Sequence, residues 1–166
     1  MGYAMITIIA LVGRHRIVAE DFGLPRPRED VRNFLENTLS LPVIYGRKTF
    51  DRLDAIFSVP VNIVLTRNPE WVAAGVTPAG SINEAMRLAL QDSEDVAVLG
   101  GGEVFREFMP LADRVILTEV DSDVKGPDQF PRMMASDWRL DSRSHHHGYE
   151  RSVWMCHAAK PTKRYK

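Results

Sequence analysis

Three consecutive glycines, Gly100, Gly101 and Gly102, stand where the apolar run VAVLG (96–100) gives way to the helical pattern EVFREF. Glycine lets a backbone approach a ligand closely, and the free N–H groups at a helix start attract phosphate. Such a turn suits a dinucleotide pyrophosphate. It does not complete G-x-G-x-x-G, because Phe105 takes the place of the last glycine, so a tight structural turn stays open beside the phosphate reading. Two more turns carry donors directly after apolar runs. YGRKTF (45–50) joins a glycine to Arg47, Lys48 and Thr49, and LTRN (65–68) offers Thr66 and Arg67. In a parallel sheet the carboxyl ends of the strands lie along one edge, so the three turns can converge on one phosphorylated cofactor. Cations beyond the glycine turn favour a cofactor with an additional phosphate, as in NADP. Taken singly, each basic residue reads as a solvated helix start; their common position after strands is what argues for a site.

A second chemistry is offered by GLPRPREDVRNF (23–34). Residues four apart share a helix face, so Glu29 aligns with Asn33 and with water, whereas Asp30 aligns with Phe34 beside Val31, at the border of the apolar stripe. A carboxylate there loses solvation and its proton affinity rises, unless the helix start stabilises the anion. Asp30 is thus a candidate proton donor, or a fork for a cationic amidine-like group. An aspartate placed in a first turn for the helix dipole alone stays open. SHHHGY (144–149) invites a metal reading, but adjacent histidines point to alternating faces and lack a Cys or carboxylate cluster, so an exposed loop is expected.

The elements that position these residues emerge from periodicity. ITIIALV (6–12), PVIYG (42–46), VNIVLT (61–66), VAVLG (96–100) and RVILTEV (114–120) are continuous rather than alternating apolar runs. They read as strands covered on both faces, as in a largely parallel sheet. Helices are expected over 28–39, over SINEAMRLAL with Ser81 and Glu84 as a capping box, and after LGGG with Val104, Phe105 and Phe108 inward. The end of the chain reads as two strands joined around Gly148. The sum is an α/β fold with a mixed sheet closed by an antiparallel hairpin.

The 166 residues, 45% of them hydrophobic, suit one domain over 1–166, with 158–166 as a frayed basic tail. A formal net charge of −1 gives no general attraction to nucleic acid, and a small-molecule partner is expected. The single cysteine, Cys156, excludes an intramolecular disulfide, fits a reducing compartment and is expected to be a buried structural thiol. MGYAMITIIALVG lacks the basic start and cleavage site of a signal peptide, is too short to span a bilayer, and has Ile6 where myristoylation wants Ser or Thr. A cytoplasmic protein, free of membrane and monomeric, is expected.

From about Met5 to Trp154 these segments resemble, in order, the dihydrofolate reductases. The resemblance is carried by IALV, GLP, DVRNF, PVIYGRKTF, NIVLTRNPEW, LGGGEVFREFMPLADRVILTEVD and FP. It implies a three-layer α/β fold with a central, mixed but mostly parallel eight-stranded sheet, flanking helices and a C-terminal antiparallel hairpin. It implies NADPH as cofactor and reduction of 7,8-dihydrofolate to tetrahydrofolate, with hydride to C6 and a proton to N5. By position, Asp30 is the active-site acid in the pterin pocket, Thr118 supports it, and Leu24 lies in the loop that closes over the nicotinamide. Val31, Phe34 and Leu53 match walls around the substrate, and Ile9, Leu11 and Leu99 match its lining. Arg47, Lys48, Thr49, Thr66 and Arg67 match cofactor phosphate contacts, and Gly101, Gly102, Glu103, Val104 and Phe105 lie along the pyrophosphate and nicotinamide. Ala10, Val18, Gly46 and Leu65 complete the implied cofactor lining.

Two positions depart from the family pattern. Arg26 follows Pro25 where most members carry tryptophan, and the segment before Asp30 is one residue shorter. Pro60 stands where the family keeps an arginine that grips the α-carboxylate of the substrate's glutamate tail. Losing such a charge-assisted contact costs about 1.5–3 kcal/mol, with Arg28, Arg32 and Arg52 as nearby substitutes. These departures raise two alternatives: a reductase of the same fold for a tail-less pterin or related heterocycle, and a catalytically weak NADPH-binding protein.

Overall fold

The run MITIIALV becomes β1 (Met5–Val12), in which every residue from Ile6 onward is buried. The computed structural model describes residues 4–19, 40–52, 61–157 and 165. After β1 come β2 (Val43–Gly46), α1 (Arg47–Arg52), β3 (Asn62–Leu65), β4 (Thr77–Ala79), α2 (Ile82–Ala89), β5 (Asp95–Gly100), α3 (Gly102–Phe108), β6 (Arg114–Val120), β7 (Trp138–His146) and β8 (Tyr149–Cys156). The strands form one eight-stranded sheet in the order β4-β3-β2-β5-β1-β6-β8-β7. Strands β1 to β6 pair parallel, and β8 runs antiparallel to both β6 and β7. The expected mixed, mostly parallel sheet is therefore present, as is the hairpin, which turns at Gly148 with φ +84°.

Side chains alternate across β1. Ile6, Ile8, Ala10 and Val12 join a core with Ala85, Met86 and Ala89 of α2 and Phe105 and Phe108 of α3. Ile9 belongs to the opposite face with Val43, Tyr45, Val64, Ala97, Leu99 and Ile116, against which Phe50 and Trp71 pack. Covering both faces is what a continuous apolar strand requires. Helix α2 starts as its sequence predicts: the Ser81 hydroxyl accepts from the Glu84 N–H at 3.1 Å. The Glu84 carboxylate reaches one residue further back than a standard box, accepting from the Gly80 N–H at 2.8 Å.

Four expectations change. Periodicity did not reveal β4, which is three residues long and contains Pro78; at the sheet edge a proline leaves no ladder bond unmade on its open side. His145 and His146 are paired strand positions of β7 rather than loop, opposite Glu150 and Tyr149. Cys156 is half-buried rather than enclosed. The tail is not frayed throughout, because Tyr165 packs against the first core. Burial, and next the nearby Asp113 charge, push the Tyr165 phenol up. The helix expected over 28–39 lies outside the described residues.

Candidate functional site

The carboxyl ends of β4, β3, β2 and β5 are neighbours in the sheet, and the turns leaving them line a cavity of about 580 Å³. Gly46 and the first turn of α1 form one wall, Leu65 to Asn68 the next, Gly80 to Ile82 a third, and Gly101 to Val104 a fourth. Val18 and Ala19 beyond β1, with Pro127 and Asp128 from the connection between β6 and β7, close the far side. Helix starts carry partial positive charge, so placing the beginnings of α1, α2 and α3 around one space favours an anion there.

The glycine turn answers both readings of GGG. Gly100 has φ +103°, and a Cβ there would stand 2.6 Å from the Phe105 ring. A Cβ on Gly102 would collide with the side chain of Asp128. These two glycines are therefore demanded by the protein's own packing. Gly101 and Gly102 also present backbone to the cavity. The Gly100–Gly101 peptide is cis.

Charge is concentrated on the same walls. Arg47 lies 3.6 Å from Asp51 on its own helix, and its guanidinium carbon is 5.9 Å from the centre of the Trp71 ring. Arg67 Nη2 is 2.7 Å from Glu103 Oε1. Arg106 meets Asp128 at 3.1 Å. Lys48 and the buried Thr49 complete the α1 wall. The loop bearing Arg67 is tied by its own polar atoms. Thr66 N–H donates to the Ala79 carbonyl at 3.0 Å, Thr66 Oγ1 accepts from Asn68 N–H at 3.1 Å, and Asn68 Oδ1 accepts from Glu70 N–H at 3.0 Å.

Of the residues singled out for cofactor binding, Val18, Gly46, Arg47, Lys48, Thr49, Leu65, Thr66, Arg67, Gly101, Gly102, Glu103 and Val104 line this cavity. Ala10 and Phe105 do not. Ala10 is 1% exposed on the β1 face that meets α2 and α3. Phe105 is equally buried, directed inward and packed edge-on to Phe130 at 5.3 Å. The substrate-side residues Ile9, Leu11 and Leu99 are buried, and the β1–β6 register sets Leu11 beside Thr118 and Ile9 beside Ile116. Alternation puts Ile9, Leu11, Leu99 and Thr118 on the sheet face opposite Ala10. Asp30, Leu24, Val31, Phe34 and Leu53 lie outside the described residues, as do Arg26 and Pro60.

Ala19, Asn68, Gly80, Ser81, Ile82, Glu107, Pro127 and Asp128 line the cavity without having been singled out for binding. Gly80 to Ile82 obey the same strand-then-helix rule as the turns at Gly46 and Gly100, and were missed with β4. Pro127 and Asp128 sit in an aperiodic connection and carry no signal of their own. Among the described residues no group of His, Cys, Asp and Glu is arranged to hold a metal ion. Nor is any described helix long and apolar enough to cross a membrane.

The fold and site define an α/β protein with an anion-favouring cavity at the carboxyl edge of a mostly parallel sheet. The family model for dihydrofolate reductase matches residues 5–160. Dihydrofolate reductase type 3 of Salmonella typhimurium is 33% identical over 153 residues, covering 92% of this chain and 94% of the relative. Dihydrofolate reductase of Neisseria gonorrhoeae is 34% identical over 142 residues, covering 84% and 86%. A solved structure, dihydrofolate reductase from Enterococcus faecalis complexed with NADP(H) and RAB-propyl, superposes with a TM-score of 0.80 at 22% identity, covering 94% of this chain and 98% of the other. The chain belongs to the dihydrofolate reductase family, a family of NADPH-dependent oxidoreductases.

Proposed function

We propose that the protein reduces 7,8-dihydrofolate to tetrahydrofolate with NADPH. The observation that carries the reading is the convergence of four strand ends on one cavity furnished with Arg47, Lys48, Thr49, Thr66, Arg67 and the Gly101–Gly102 backbone. The donor set fits a dinucleotide with an extra phosphate: the glycine turn would admit a pyrophosphate without side-chain obstruction, and Arg47 and Arg67 would hold the remaining phosphate. When bound, NADPH supplies the hydride that reaches C6 of dihydrofolate. Asp30 binds the pterin amino group and N3 and promotes protonation at N5. Thr118 supports that acid, with Ile9, Leu11, Leu99, Val31, Phe34 and Leu53 enclosing the substrate, and Leu24 helps to shut water from the reacting atoms. Excluding water strengthens each of these polar contacts.

Following NADPH consumption by absorbance tests the reading. Turnover with dihydrofolate is expected, falling by about a hundredfold or more in Asp30→Asn, the usual scale for removing a general acid. Absence of turnover, or an Asp30→Asn variant at full rate, overturns it. A second reading is favoured by Pro60 at the place of the tail-binding arginine: a reductase of a tail-less pterin. It predicts turnover of tail-less pterins with none of dihydrofolate.

A further inference from the structure

We propose that Glu103 sets the cofactor preference of the cavity by competing with phosphate for Arg67, a role that rests on the NADPH reading of the same site. The 2.7 Å pair joins two walls of the cavity, the loop after β3 and the first turn of α3, and its side chains are 89% and 60% exposed. Both residues line the space in which a phosphorylated ligand has to lie. An acid in a first helical turn has a local reason to exist, since it complements the helix dipole. Local dipole compensation does not require a partner 36 residues away, however, and the carboxylate of Glu103 is spent on Arg67.

The consequence is an exchange reaction. A phosphate that takes the Nη2 corner of the Arg67 guanidinium, the corner Glu103 holds, displaces that carboxylate into water. The phosphate offers more charge and a bidentate fit, so the exchange runs in its favour, with the ion pair as a fixed opposing cost. A cofactor without the extra phosphate leaves the pair intact and meets no such cost. Glu103 therefore lowers affinity for NADPH and leaves affinity for NADH unchanged. Exposed pairs of this kind are weak, which scales the effect to about threefold in a dissociation constant.

Calorimetric titration of the full chain with NADPH and NADH tests this. Glu103→Gln is expected to bind NADPH about threefold more tightly with NADH unmoved. Arg67→Gln is expected to weaken NADPH selectively, and adding Glu103→Gln to it is expected to give no further gain, because no guanidinium is left to contest. An unmoved NADPH-to-NADH ratio in Glu103→Gln overturns the inference, as does an undiminished gain in the Arg67→Gln background, which would mark simple repulsion. Wild-type protein that binds neither cofactor overturns the NADPH reading itself, and that result is distinct from a wild type that binds NADPH with a ratio insensitive to Glu103. Adenosine 2′,5′-bisphosphate against adenosine 5′-monophosphate repeats the comparison without the nicotinamide, and a gain confined to the bisphosphate is expected.

Discussion

The parallel part of the sheet and the C-terminal hairpin use the same backbone to opposite ends. In β1, β2, β3 and β5 most residues are buried on both faces, and even the polar Thr7 and Asn62 are enclosed. In β7 only Trp138 is buried, and the strand forms the open edge of the sheet. The hairpin is held by exposed or half-exposed polar contacts, Arg143 to Glu150 at 2.7 Å, His145 to Glu150 at 3.0 Å, and the His146 ring stacked on Tyr149 at 4.5 Å. Tyr45 in the parallel part has no exposed surface, whereas Tyr149 in the hairpin is 39% exposed. Parallel pairing forces every connection back across a face and returns every carboxyl end to one edge, where ligands collect. An antiparallel pair alternates its ends and gathers nothing. The site therefore belongs to the parallel part, while the hairpin ends the sheet and packs Trp138, Trp154 and Cys156 on the core.

Substitutions that strike the two parts unequally sharpen the contrast. Gly102→Val drives a side chain into Asp128. It is expected to cost about 3 kcal/mol of stability as overpacking, read as a lower Tm, and to abolish NADPH binding in a titration. Tyr45 comes next. Burial pushes its phenol up to about 12 from 10.0, so the folded protein resists ionising it. The unfolded chain loses that proton first, so stability is fully present below pH 10 and falls as pH rises toward 12. The fall amounts to about 3 kcal/mol across the window. Chemical denaturation across that window is expected to show the fall in wild type and a flatter profile in Tyr45→Phe; equal slopes would break the contrast. Arg67→Gln is expected to lower the NADPH-to-NADH preference by about tenfold, measured as a ratio of kcat/KM values. Leu140→Ser, on the exposed edge strand, is expected to change unfolding free energy by less than about 0.5 kcal/mol and leave kcat/KM untouched.

Much of this arrangement was legible from the chain. Five apolar runs, the donor-bearing turns after three of them and the Gly148 hairpin all arise from local periodicity and turn chemistry, and the runs together with the donors after them pointed to one edge of a parallel sheet. What was missed has a physical character. Thr77–Ala79 is too short to show a period and contains a proline, yet it forms the edge strand because β3 offers it an unfilled ladder. Phe105 sits one residue from cavity-lining Val104, and no one-dimensional pattern distinguishes an inward ring from a ligand contact at the start of a helix. The structure decides it, since Phe105 fills the space under Gly100 and packs edge-on against Phe130.

The amino-acid sequence by itself determined that five apolar runs are strands, which turns after them carry basic and hydroxyl side chains, and that Asp30 is the carboxylate to test, because each depends on neighbours within a few residues. Tertiary structure alone decided that Glu103 holds Arg67, that Asp128 needs a glycine at 102, and that Gly80 to Ile82 line the same cavity as Gly101. Those contacts join residues far apart in the chain, and sheet order and packing bring them together. No local preference encodes a distance between two segments that meet only when the sheet is complete.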